Sequence, residues 1–173
     1  MKNTLLLILL LAALSFSACE KEKTPPTELE KLPAATQEGK NTFGCLVDGK
    51  AWTTKGSPIN PGVQPYYDER LKVFQLQAIY KEESSFQLVV TDVVQAGNYL
   101  PLPNFSYYSI ASKDCSQLGY KEYQILTGGN VQITRLDIGQ GIVSGTFEFD
   151  AVSETCQDTV RTTDGRFDIK YKF

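Results

Sequence analysis

The chain has no histidine among its 173 residues. Without an imidazole, neither a Ser-His-Asp nor a Cys-His nucleophile can be assembled, and histidine-based zinc and iron sites are closed off. A histidine charge switch near neutral pH is missing too. Methionine and tryptophan occur once each, and the four cysteines contain no C-x-x-C spacing, so a thiol-rich metal site lacks its usual framework. Neither sign of charge dominates, with 17 Lys and Arg against 20 Asp and Glu. No basic stripe stands out, which argues against nucleic acid as a partner. No motif calls for a cofactor or a metal.

What is present begins with an address. Leu5 to Leu14 reads LLLILLLAAL behind the positive start at Lys2. At 1.5 Å per residue this reaches about 15 Å, half of a hydrocarbon core of about 30 Å. It fits a signal-peptide h-region and is too short to span. Ser17-Ala18-Cys19 then resembles the lipobox of bacterial lipoproteins, with Phe16 where that pattern usually has leucine. Bulky Phe16 also argues against ordinary signal-peptidase cleavage after Ala18, which needs a small residue there. The resemblance implies a lipoprotein signal peptide over 1–18 and fatty chains, diacylglycerol and palmitate, on Cys19. Each buried CH₂ contributes about 0.8 kcal/mol, so two or more chains hold a protein on a bilayer. Glu20-Lys21-Glu22-Lys23 resembles the surface-export signals of Bacteroidota lipoproteins. The expected location is the outer membrane, lipid-anchored, on its periplasmic or cell-surface face.

Residues 19–40 hold Pro25, Pro26, Pro33 and many charges, and read as the acylated cysteine and a flexible tether. From Asn41 the period changes to two, so 41–173 reads as a single β domain. Phe43, Cys45 and Val47 share one face before the hairpin signal Asp48-Gly49. Lys55 to Glu69, rich in Pro and Gly, reads as a loop. LKVFQLQAIY and FQLVV alternate cleanly, Gly97-Asn98 breaks the pattern, and SYYSIAS, YKEYQIL, NVQITRLDI and IVSGTFEFDAV continue it. TVRTT reads as a short strand, turned by Asp164-Gly165 into RFDIKYKF. About nine or ten short strands without an amphipathic helix predict an all-β fold, an antiparallel β-sandwich or partly closed barrel.

"NTFGCLVDGKAW" early and "GIVSGTFEFDAV … VRTTDGRFDIKY" late resemble a family of Bacteroidota lipoproteins of unknown function. The resemblance covers nearly all of the mature domain. It implies an all-β domain and the anchored address, with no activity or site residue attached.

With Cys19 as the anchor, three thiols remain for an oxidising compartment. Cys45 lies on an apolar strand face and reads as a buried free thiol. Cys115 (SKDCSQ) and Cys156 (SETCQD) lie in polar turns and form the favoured disulfide. In the presumed loop, Tyr66 and Tyr67 offer flat faces to a sugar ring, and Asp68 and Glu69 accept its hydroxyls; the opposing reading packs the tyrosines onto the sheet. Trp52 reads as core, and Tyr107-Tyr108 carries the same ambiguity. Asp92, Asp137, Glu148, Asp150 and Asp168 read as solvated strand residues without the spacing of a catalytic pair. Asp137 near the Gly139–Gly141 turn is a weak calcium signal without a D-x-D-x-D loop.

The expected function is therefore a membrane-anchored envelope lipoprotein with a non-catalytic domain that binds glycan or protein through its loops. A small carboxylate-based hydrolase and a barrel carrying an apolar molecule are the alternatives. Cells grown with radiolabelled palmitate should label the wild-type protein in the membrane fraction, and Cys19→Ala should remove the label. An unlabelled, soluble wild type would overturn the anchor.

Overall fold

The computed structural model describes residues 25–55, 62–81, 83–115, 119–125 and 128–172. The leader, Cys19 and the charged run after it lie outside the described residues. Eleven strands appear among the described residues: β1 (Thr42–Val47), β2 (Lys50–Thr53), β3 (Val63–Asp68), β4 (Val73–Tyr80), β5 (Ser84–Val90), β6 (Gly97–Tyr99), β7 (Tyr107–Ala111), β8 (Tyr120–Gln124), β9 (Asn130–Asp137), β10 (Ile142–Ser153) and β11 (Asp158–Lys170). They form one antiparallel sheet in the order β2-β1-β11-β10-β8-β7-β5-β4-β3, with β9 added to part of β10 and β6 added to β9. The sheet curls until its ends approach. Just past β2, Lys55 bridges Tyr80 of β4, donating its N–H to the Ile79 carbonyl at 2.9 Å and accepting from Lys81 N at 2.8 Å. The result is an all-β, partly closed barrel.

Sequence alternation sets the two faces. Phe74, Leu76 and Ala78 of β4 meet Val90, Leu88 and Phe86 of β5 across the ladder, all buried. Asp48 and Gly49 take φ of 48° and 77° in the β1–β2 turn, the left-handed pair that a tight hairpin needs.

Three strand assignments differ from the sequence reading. Residues 63–68 of the presumed loop form β3, an edge strand where Pro65 costs no ladder hydrogen bond; residues 56–61 of that loop lie outside the described residues. Residues 97–99, read as a break, form β6 on β9. Asp164-Gly165 is a bulge inside a continuous β11: Phe147 faces Gly165 and Phe149 faces Thr162, so two residues stand opposite Glu148 alone. Asp164 has φ of 52°, a conformation that a turn and a bulge share, and the sequence signal is the same for both.

Aromatic rings fill the interior. Phe147 lies 5.0 Å from Phe43, 5.8 Å from Phe149 and 6.4 Å from Phe167 between centroids. Phe86 lies 4.6 Å from Tyr108 and 4.8 Å from Trp52. Between β10 and β11 two large rings each face a glycine, Phe167 opposite Gly145 and Phe147 opposite Gly165. A Cβ on Gly145 would stand 2.7 Å from the Phe167 ring, and one on Gly165 2.6 Å from the Phe147 ring. The two absent side chains let the rings lie flat on the neighbouring backbone. Each such buried ring contributes about 1.5–3 kcal/mol.

Residues 25–40, read as part of a flexible tether, are laid along the outside of the domain. A 3₁₀ turn at Leu29–Lys31 starts the strap. Glu28 Oε2 accepts the Ala51 amide of β2 at 2.8 Å, and Leu32 is buried. Arg166 Nη1 donates to the Pro33 carbonyl at 3.3 Å, and Arg135 donates to that of Gln37.

The strap ends on Asp168, which the alternation of β11 had placed on the solvent face. The strap covers that face instead, leaving Asp168 only 1% exposed. Its carboxylate accepts from Thr36 Oγ1 at 2.5 Å, from the amides of Glu38, Gly39 and Lys40 at 3.0, 2.7 and 3.2 Å, and from Ser144 Oγ at 2.8 Å. Composition shows little in the strap that could build a core, and Leu32 is its one buried hydrophobic side chain among the described residues. It could not show that the strap's backbone amides satisfy a buried charge.

Burial alone would raise the Asp168 carboxyl, but the bonds from Thr36, Glu38, Gly39 and Ser144 hold it down to about 2, against an ordinary 3.8. A carboxyl depressed in the native state contributes stability above its unfolded pKa and loses it as pH falls through the native one. The wild type should therefore exceed Asp168→Asn by at least about 2 kcal/mol near neutrality, and the gap should close between about pH 4 and pH 2. Urea melts at pH 6 and pH 2.5 read this difference; an unchanged gap at pH 2.5 would refute the latch.

A candidate ligand cleft between diverging strands

β10 has three strand partners. One edge pairs with β11 from Ile142 to Ser153. The other edge is divided: Ile142 to Glu148 pair with β9, and among the described residues only Val152 pairs with β8, opposite Gln124. Past that contact β8 and β10 separate toward the β7–β8 and β10–β11 turns. The outer face of the split is a depression of about 430 Å³, within the usual size of ligand sites, about 300–1,000 Å³. The Cys115–Cys156 disulfide joins the two turns at its mouth, with Cα atoms 5.5 Å apart.

The floor consists of the side chains that alternate outward while Phe86, Tyr108 and Tyr123 enter the core. Register places Ser85, Ser109 and Glu122 in one row across β5, β7 and β8, and Tyr107 beside Gln124 in the next. Tyr120 stands at the far end of β8, and Val152 to Thr155 form the wall. Beneath the split, Tyr123 Oη and Lys121 Nζ both donate to Asp158 Oδ2, at 3.0 and 3.2 Å. Those two bonds hold the Asp158 carboxyl below its ordinary range, and they tie β8 to the start of β11 underneath the wall.

The lining has a defined chemistry. Gln124 Nε2 donates to Glu122 Oε1 at 2.8 Å and fixes that carboxylate. Burial raises the Tyr107 phenol, and neighbouring Glu122 raises it further, so Tyr107 stays protonated through the neutral range. Glu122 and Glu154 are the carboxylates among the described lining residues, and none of those residues is Lys or Arg. Ring faces, hydroxyls, an amide and carboxylates suit a ligand that carries many hydroxyl groups over an apolar ring face.

The four residues singled out in the sequence lie elsewhere, and their polar groups are turned on near neighbours. Tyr66 is exposed on β3, its Oη donating to Asp68 Oδ2 at 3.2 Å. Tyr67 is buried, stacked edge-on against Tyr171 at 5.3 Å, and donates to the Val93 carbonyl at 2.6 Å; burial, with Glu69 second, raises its phenol. Asp68 accepts the Leu71 and Arg70 amides, which lower its carboxyl and close the β3–β4 turn. Glu69 pairs with Lys172.

Trp52 is core, with Nε1 donating to Ser84 Oγ at 2.8 Å. Tyr107 and Tyr108 take opposite faces, Tyr107 in the cleft and Tyr108 inside, its phenol pushed up to about 12 by burial. Glu148 and Asp150 are exposed, Asp92 lies beyond the end of β5, and Asp137 accepts the Gln140 amide and Arg135 Nη2.

A second depression of about 570 Å³ opens at the barrel seam between the 3₁₀ turn, β2 and the β4–β5 turn. Its back wall is Trp52 and Tyr108, and Ser84 already takes the indole N–H, so its lining is more apolar than that of the cleft on β8. Sequence reasoning missed Ser85, Ser109, Tyr120, Glu122 and Gln124. Alternation in SYYSIAS and YKEYQIL gave their common face, but nothing in the sequence marked the divergence of β8 from β10. No protein-family model matches the chain, and neither a curated protein nor a solved structure matches it significantly; the cleft is read from its own geometry.

Cys45, buried and unbridged, has its thiol pushed up by burial alone. The bridge between Cys115 and Cys156 closes a segment of 41 residues, worth about 4 kcal/mol in the chain-entropy account. Replacing both cysteines with serine should lower the unfolding free energy by about 3–4 kcal/mol in guanidinium melts while the β circular-dichroism signal is kept. A loss under about 1 kcal/mol would show that the two turns hold without it.

Proposed function

We propose that this chain is a lipid-anchored protein of the outer membrane whose β domain binds a glycan, without cutting it, in the cleft between β8 and β10. One observation carries the reading: two tyrosines, three serines, a threonine, a glutamine and two glutamates line one depression of about 430 Å³ on the sheet. Flat rings accept the C–H face of a sugar, and the polar groups match its hydroxyls. The absence of histidine supports a binding role over nucleophilic hydrolysis.

A second reading, a carboxylate hydrolase, is favoured by the presence of Glu122 and Glu154 in the same lining, since such enzymes work with two acids and need no histidine. The carrier reading draws no support from an interior occupied by Phe43, Phe86, Phe147 and Phe149.

Calorimetry of the full protein in detergent against soluble oligosaccharides tests the first reading. Tyr107→Ala and Glu122→Gln should each weaken binding roughly 10- to 100-fold, the worth of one stacking face or one charge-assisted hydrogen bond. Release of shortened sugars that Glu122→Gln abolishes would favour the hydrolase instead.

A further inference from the structure

The shape of the cleft restricts which part of a glycan enters it. Along the strands it is closed at one end by the Gln124–Val152 pairing and at the other by the Cys115–Cys156 bridge. Across the strands, Val152 to Thr155 form a wall beyond β8. The side left open runs along the outer face of β7 toward β5, over Ser109 and Ser85. A chain arriving from that side meets the wall after crossing three strands, spaced about 4.8 Å apart. Strand spacing therefore leaves about 10–15 Å of floor, room for one or two rings and no exit beyond them.

The charge of the dead end is equally selective. Glu154 belongs to the wall and Glu122 to the floor beside it, and no lysine or arginine is among the described lining residues. An anionic group pressed against that wall would face two carboxylates with no counter-charge, which costs affinity.

Resting on the glycan reading above, we infer that the cleft caps the end of a glycan chain: it takes a terminal neutral or amino sugar and rejects internal stretches and uronate ends. The disulfide is the clasp that makes the cleft blind. In this role it sets specificity as well as stability, because it stands where a through-running chain would have to leave.

The test uses the full protein in detergent with free oligosaccharides in solution, so that both chain ends are available. The probes are linear gluco-, chito- and manno-oligosaccharides, a cyclic gluco-oligosaccharide, and versions of each linear probe with the terminal C6 oxidised to the carboxylate. Binding of at least one linear probe is expected, weakened tenfold or more by oxidation of its terminal sugar and changed less than threefold by lengthening the chain. The cyclic probe should not bind. The variant Cys115→Ser/Cys156→Ser, checked by circular dichroism, should gain binding of the cyclic probe, which the wild type excludes.

Equal binding of cyclic and linear probes, or of oxidised and unoxidised ends, would overturn the capping inference while leaving glycan binding in place. Absence of binding to every probe would overturn both.

Discussion

β10 cannot keep one partner along its second edge. Its first half is matched by β9, in register from Ile142↔Asp137 to Glu148↔Asn130, and β8 can join only where β9 has ended. The change of partner coincides with the bulge on the other side, where Thr163 and Asp164 oppose Glu148. A bulge increases local twist and bends the strand that carries it, and this one stands at the level where β10 changes partner from β9 to β8. Among the described residues one pairing of β8 with β10 remains beyond it, Gln124 with Val152. The cleft, the clasp at its mouth and the Asp158 brace below it all follow from that divided edge.

The bulge itself depends on packing inside. Gly165 lies under the Phe147 ring, and the Phe167 ring lies over Gly145. Side chains at those two glycines would push the rings off the backbone and separate β10 from β11. The same stack, continued through Phe43 and Phe86, fixes the curl of the sheet. Outside, the strap performs the matching task on the opposite face, where Asp168 collects five hydrogen bonds and would otherwise be a buried unpaired charge. In the proposed anchored state the strap has a further consequence. Glu28 is already held to β2, and the nine residues from Cys19 to Glu28 extend at most about 30 Å. In that proposed state the seam end of the barrel would stay close to the bilayer, because the strap shortens the 22-residue stretch between 19 and 40 to its part before Glu28.

Much of this fold is legible in the sequence because it is written in period two. Phe74-Gln75-Leu76 or Phe147-Glu148-Phe149 can lie only one way up on a half-buried sheet. Cys115 and Cys156 were distinguishable from Cys45 by the same means, since polar turns and an apolar strand face differ in composition. What escaped had a physical reason in each case. Pro65 sits in β3 because an edge strand tolerates it. Asp164-Gly165 reads equally as turn or bulge, because both need a left-handed residue. Asp168 alternates as an exposed residue should, and only its covering strap makes it interior. The candidate face on β7 and β8 was visible as alternation, but a cleft is made by strand divergence, which is a tertiary property without a local signal.

The same distinction separates the cleft from the β3 edge that carries Tyr66 to Glu69. Tyr66 to Glu69 have the right composition, yet the chain spends each polar group locally: Tyr67 on Val93, Asp68 on the β3–β4 turn, Glu69 on Lys172. A binding site needs polar groups whose second valence points outward into a concave space, and concavity on a β surface arises where ladder pairing stops. The divided edge of β10 stops it, and the adjoining strands present tyrosines, serines and a fixed carboxylate to the gap. Were β8 paired with β10 along its length, the same residues would lie on a flat, solvated face with nothing to enclose a ligand. Concavity in this protein is therefore a property of where its sheet fails to close, and the proposed recognition rests on it.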